Sequence, residues 1–138
     1  MTRINLISPE KLSNQHLMAE YREIYHIPKA LERSLRSRSK QQLDSLIPKS
    51  YTLNKGHVMH FYNKGKFLED RSYSLYSELI KRDYRVVKKN YPTEVFKQQG
   101  YYNDYNPTLE EVEVNEQRIR ERLALRPGWY KYYKLSLF

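Results

Sequence analysis

The 138-residue sequence contains no cysteine, which excludes disulfides, thiolate metal sites and a cysteine nucleophile. Its four glycines are scattered, so neither a flexible linker nor a glycine-rich phosphate loop is present. The nearest text, "NKGK" at residues 63–66, is not followed by Ser or Thr, and ATP-driven chemistry is not expected. No apolar run approaches the ~18 residues of a membrane-spanning helix. The first residues also lack the basic-then-apolar layout of a signal peptide, and a soluble, intracellular protein without membrane association is expected. No serine sits in a G-x-S-x-G elbow. The one close histidine pair, His57 and His60, has no carboxylate cluster near it in sequence, so no metal and no cofactor is expected.

What is abundant is positive charge. Lys and Arg number 25 against 16 Asp and Glu, a net charge of +9, with a pI near 9.6. Such a balance favours polyanions, either nucleic acid or an anionic membrane surface. The apolar fraction of 39%, with one Trp, four Phe and 14 Tyr, suffices for one modest core, and a single domain over residues 1–138 is expected.

Apolar residues recur at helical spacing in three places. "SPEKLSNQHLMAEYREIY" at residues 8–25 reads as helix, with Ser8 and Pro9 at one start, Ser13 or Asn14 as a second cap, and a stripe through Leu17, Met18, Tyr21 and Ile24 or Tyr25. Pro28 kinks or restarts it, and residues 29–40 continue with Leu31 and Leu35 inward and Arg33, Arg36, Arg38 and Lys40 outward. A second helix covers residues 67–83, with Leu68, Leu75, Tyr76, Leu79 and Ile80 on one face and Lys81 and Arg82 at its end. A third opens at Thr108, whose partner Glu111 completes a capping-box pattern, and its stripe runs through Leu109, Val112, Glu116, Ile119 and Leu123. Residues 47–66 and 83–107 read as irregular connections, the latter on the surface. Arg118, Arg122 and Arg126 are spaced by four, which aligns them for solvent or for phosphate. The net charge favours phosphate.

Among ordinary nucleophiles an amine is the strongest candidate. A terminal α-amino group titrates near pH ~7.8 and a lysine near ~10.4, so at pH 7 the former is neutral on the order of a few hundred times more often. With Met1 removed, as the small Thr2 permits, that amine belongs to Thr2 and has Arg3 beside it. The neighbouring cation lowers its pKa further.

Four blocks then carry a resemblance. "MTRINL" at the start, "NQHLMAEYRE" at residues 14–23, "GHVMHFYNKGKFLEDR" at residues 56–71 and "RPGWYKYY" at residues 126–133 together resemble the pyrimidine-dimer DNA glycosylases of the phage endonuclease V type. Spacing and total length agree as well. The resemblance implies an all-α, compact single domain of about three main helices with long irregular connections, its N-terminal segment threaded between helices. It implies a monomeric, bifunctional enzyme on double-stranded DNA, a glycosylase and abasic-site lyase acting at ultraviolet cyclobutane pyrimidine dimers.

The family's nucleophile, the α-amino group behind Met, maps onto Thr2, and its catalytic carboxylate onto Glu23, which periodicity alone would leave as a solvated helix residue. Arg3, Gln15, His16 and Arg22 fall at positions that line the DNA cleft, although a mid-helix histidine such as His16 is more often structural. Arg118 and Arg122 fall at backbone-binding positions, and Lys131 is assigned to phosphate. Trp129 and Tyr130 either contact the lesion or fill a core. His26 stands where the phage archetype has arginine, and Arg122 where it has lysine. Two other readings stay open: the same imine chemistry on a different base lesion, and a non-catalytic DNA-binding protein.

Overall fold

A computed structural model of the chain describes residues 3–132. Thr2 and Tyr133 therefore lie outside the described residues. Those that are described contain helices and no strand, and none of these helices is long and apolar enough to cross a membrane.

The first expected helix is broken into pieces by its own caps. A 3-10 turn at Pro9–Lys11 precedes α1 (Asn14–Glu23), which Ser13 caps by accepting the His16 N–H at 3.1 Å. Helix α2 (His26–Ser37) restarts with Pro28 in its first turn, where a missing N–H leaves no intrahelical bond unmade. Leu31 is buried and Leu35 partly so, while Arg33, Arg36, Arg38 and Lys40 are exposed. Continuity through residue 40 does not hold: Arg38 is extended, and Ser39 forms a capping box with Gln42 that opens α3 (Lys40–Leu46). Local side-chain hydrogen bonding by Ser39 overrides the helical pattern there.

The second and third helices are continuous, as α5 (Gly65–Lys81) and α7 (Leu109–Leu125). The capping box at Thr108 and Glu111 is formed. Both inward faces differ from their apolar stripes. Ile80 is 43% exposed and Leu109 81% exposed, whereas Arg71, Ser72 and Asn115 are buried. Arg82 does more than complement a helix end: its guanidinium donates to the Leu12 carbonyl at 2.8 Å, to Asn14 Oδ1 at 2.9 Å and to the Pro9 and Glu10 carbonyls. It thereby satisfies several backbone acceptors around the start of α1, the helix that packs against α5.

The connections are parts of the core. Residues 47–66 contain α4 (His57–His60) and bury Tyr51, His57, His60, Phe61 and Tyr62. Residues 83–107 contain α6 (Glu94–Gln98) and bury Tyr91, Val95, Phe96 and Tyr101, so they are not a surface connection. Tyr91 donates its hydroxyl to the Ile24 carbonyl at 2.8 Å, and Tyr21 donates to that of Val87 at 3.0 Å. Aromatic residues with one hydrogen-bonding end bury irregular backbone in this way without needing periodicity. Gly65 is required by contact: a Cβ there would stand 2.5 Å from Cγ of the buried Phe96.

Candidate active site

Residues 3–7 run through the molecule as an extended segment held on three sides. Ile4 is fully buried. Its N–H donates to Nε2 of His57 at 2.8 Å, and its carbonyl accepts the Tyr51 hydroxyl at 2.7 Å. From α1, Glu23 Oε2 accepts the Arg3 N–H at 3.0 Å. From α7, Asn115 Oδ1 accepts the N–H groups of Leu6 at 2.7 Å and Ile7 at 3.3 Å. The expected threading of the N-terminal segment between helices is thus present.

A buried polar chain sets the register of this segment. The Arg71 guanidinium engages both carboxylate oxygens of Glu20, with Nη2 to Oε1 at 3.0 Å. Glu20 Oε1 also accepts Asn5 Nδ2 at 2.8 Å, and Asn5 Oδ1 accepts Asn115 Nδ2 at 2.8 Å. Glu20 is 1% exposed and Arg71 8%. Ions so deeply buried are tolerated only when paired and hydrogen-bonded, so the chain has one arrangement that satisfies every member.

Against this segment lies a cavity of about 330 Å³ lined by residues that include Arg3, His16, Glu23, Arg118, Arg122 and Tyr130. Helix geometry explains part of the gathering. His16 and Glu23 are seven residues apart on α1, two turns on one face, and Arg118 and Arg122 are one turn apart on α7. Three guanidinium groups and the Glu23 carboxylate therefore share one small concavity. Burial and the Arg118 guanidinium press the Arg3 pKa down from its ordinary value. Burial and the Arg122 charge lower that of His16, whose Nδ1 lies 3.0 Å from Ser13 Oγ. An imidazole so placed is held neutral near pH 7.

The remaining expected residues are elsewhere. Arg22 is exposed and does not line the cavity. Trp129 is 43% exposed, with the Arg126 guanidinium 4.0 Å from its ring centroid. Lys131 is exposed and donates its ammonium to the Gly128 carbonyl at 3.0 Å. The Gln15 amide binds backbone groups of residues 129 and 131. Tyr130 stacks on His16, with ring centroids 4.7 Å apart and planes inclined by 19°, so of the aromatic pair it is Tyr130 that walls the cavity. His26 is exposed and lines a separate depression with Lys29, Ala30, Arg33 and Val58.

Sequence reasoning missed Asn5, Glu20, Arg71 and Asn115, whereas His57, part of the matching block at residues 56–71, holds backbone groups at both ring nitrogens. One signal was available for Asn115: it sits three residues after Val112 and four before Ile119, so it holds an inward position that hydropathy assigns to Glu116. The others carry no local signal, since a buried polar residue is defined by partners distant in sequence. Among the described residues no group of three or more His, Cys, Asp or Glu side chains could hold a metal ion.

Chemically, the cavity can seat an anionic, sugar-sized fragment beside a carboxylate that already touches the backbone of residue 3. Comparison with known proteins adds one finding: a family model described as pyrimidine dimer DNA glycosylase matches residues 1–91. That span includes α1 to α5 and Glu23, and ends before Arg118, Arg122 and Tyr130.

Proposed function

The chain belongs to the pyrimidine dimer DNA glycosylase family, and from that premise we propose that it is a bifunctional enzyme, removing the dimer's glycosidic link and then cutting the strand at the resulting abasic site. The observation that carries the reading is the Arg3 N–H to Glu23 Oε2 hydrogen bond at 3.0 Å inside a cavity rich in guanidinium groups.

The Thr2 amine, freed by loss of Met1, attacks C1′ of the 5′ nucleotide of the dimer. The new N–C1′ bond replaces the C1′–N1 bond, and the base departs while still tied to its neighbour through the cyclobutane ring. Opening of the sugar leaves a protonated imine. Glu23 stabilises this cation electrostatically and accepts or returns protons during its formation. The imine acidifies the C2′ proton, and its removal expels the 3′ phosphate by breaking the C3′–O bond. Arg3, Arg118 and Arg122 neutralise the phosphates that flank the opened sugar, and His16 with Tyr130 presents a flat face to the lesion bases. Duplex DNA must bend and open for this, which costs less at a distorted dimer than at paired bases.

Borohydride trapping on a duplex with one thymine dimer tests the reading, with the trapped peptide mapped by mass spectrometry. An adduct on the Thr2 amine is expected. Trapping on an abasic site without any on the dimer would retain the imine chemistry and remove the lesion assignment, whereas no trapping on either duplex would leave a DNA-coating protein. Fully active material retaining Met1 would exclude Thr2 as the nucleophile, because its nitrogen would then be an amide.

A further inference from the structure

The first three residues of α1 each contact the same distant segment, residues 129–131. The Asn14 N–H donates to the Lys131 carbonyl at 2.6 Å. Gln15 Nε2 donates to the Trp129 carbonyl at 2.8 Å, and Gln15 Oε1 accepts the Lys131 N–H at 3.1 Å. His16 stacks on Tyr130, the residue between them. The Gln15 amide thus pairs with a carbonyl and an N–H two residues apart, as a neighbouring strand would. Residues 126–129 are exposed and lie beyond the end of α7, so the placement of this segment depends on what α1 supplies.

The consequence reaches the cavity through Tyr130. With the backbone on both sides of it bound by Gln15, the Tyr130 ring is held face to face with His16 in the lining of the cavity that also contains Glu23. A dimer brings bases that must be seated against that wall. An abasic sugar brings none, and its chemistry needs only the amine, the carboxylate and the phosphate contacts.

We infer that Gln15 is a positioning residue that sets the preference of the site for a base-bearing lesion over an abasic one, by clamping Trp129 and Lys131 so that Tyr130 forms a rigid wall. The inference rests on the function proposed above. It also gives Gln15 a different task from DNA contact, since its oxygen and one of its amide hydrogens are already bound within the protein.

The test uses the full chain with Gln15→Leu, which removes both clamp bonds, and Gln15→Glu, which keeps the acceptor for Lys131 but loses the donor to Trp129. Trp129 is the only tryptophan, so its acrylamide quenching reads the segment directly and without substrate. In Gln15→Leu the quenching constant should rise about twofold, and the ratio of kcat/KM on a thymine-dimer duplex to that on an abasic duplex should fall roughly tenfold, the equivalent of one or two hydrogen bonds removed. Gln15→Glu should lie between this variant and the wild type, and it carries the same comparison if Gln15→Leu does not fold. Unchanged quenching, or equal losses on the two duplexes, would overturn the inference. A wild-type protein that cuts the abasic duplex and not the dimer would overturn the proposed function itself, and this role with it.

Discussion

His57 Nε2 accepts the Ile4 N–H at 2.8 Å, while Nδ1 of the same ring lies 2.7 Å from the Thr52 carbonyl. The carbonyl can only accept and the amide can only donate, so the imidazole is neutral with its proton on Nδ1. Protonation of Nε2 would set two donors against each other in the interior and release the segment that carries Arg3 toward Glu23. Burial, the largest cause, together with the Arg3 and His60 charges pushes the His57 pKa from 6.5 down to about 4.

The unfolded chain therefore takes up this proton more readily than the folded one. Its contribution to stability is complete above pH ~6.5 and is lost as pH falls toward ~4, a span worth about 3 kcal/mol. Urea unfolding followed across that range should show the decline. His57→Gln, which offers an uncharged acceptor near the Nε2 position, should flatten the slope, although the lowered pKa values of His16 and His60 add shares of the same sign.

Glu23→Gln keeps a carbonyl oxygen for the Arg3 N–H but removes the negative charge and the base. Dimer incision should fall by on the order of a hundredfold or more, with little change in duplex binding. Single-turnover incision and gel-shift titration separate the two, and unaltered incision would remove Glu23 from the chemistry.

Breaking the buried Glu20–Arg71 pair from one side strands the other ion. Arg71→Met should cost about 3–5 kcal/mol in denaturant unfolding. The double substitution Glu20→Met with Arg71→Met should recover much of that stability. It should not recover activity, because Asn5 loses the acceptor that registers residues 3–7. Recovery of both properties would show that the pair acts on stability alone.

Arg122 is exposed at the cavity rim, so Arg122→Ala should leave unfolding nearly unchanged. Duplex affinity should become less dependent on salt, the log–log slope shrinking by ~0.9 for each phosphate that the protein no longer neutralises. Binding isotherms at several salt concentrations measure that slope directly, and an identical slope would place Arg122 off the DNA path.

Much of the helical framework was legible because local rules and tertiary demands agree. Ser13 and Thr108 cap the helices that their spacing marks, and Pro28 restarts a helix where its ring and missing N–H require it. Failures came where burial was carried by polar or aromatic side chains without a period. Tyr91, Phe96 and Tyr101 make residues 83–107 part of the core, although their order resembles a loop. Asn115 holds an inward position that hydropathy assigns to solvent.

The helical class, the basic charge that favours a polyanion, and a small residue between the first methionine and an arginine all follow from the chain read as a string, since each depends on neighbours within a few positions or on a sum over all residues. That Arg3, Glu23, His16, Arg118 and Tyr130 surround one cavity, and that residues 3–7 reach it in register, is settled only on folding. Asn115 meets Leu6 from 109 positions away, and Arg71 meets Glu20 from 51. Such bonds form because a polar group removed from water must find a partner wherever the fold brings one, a requirement with no local trace in the sequence.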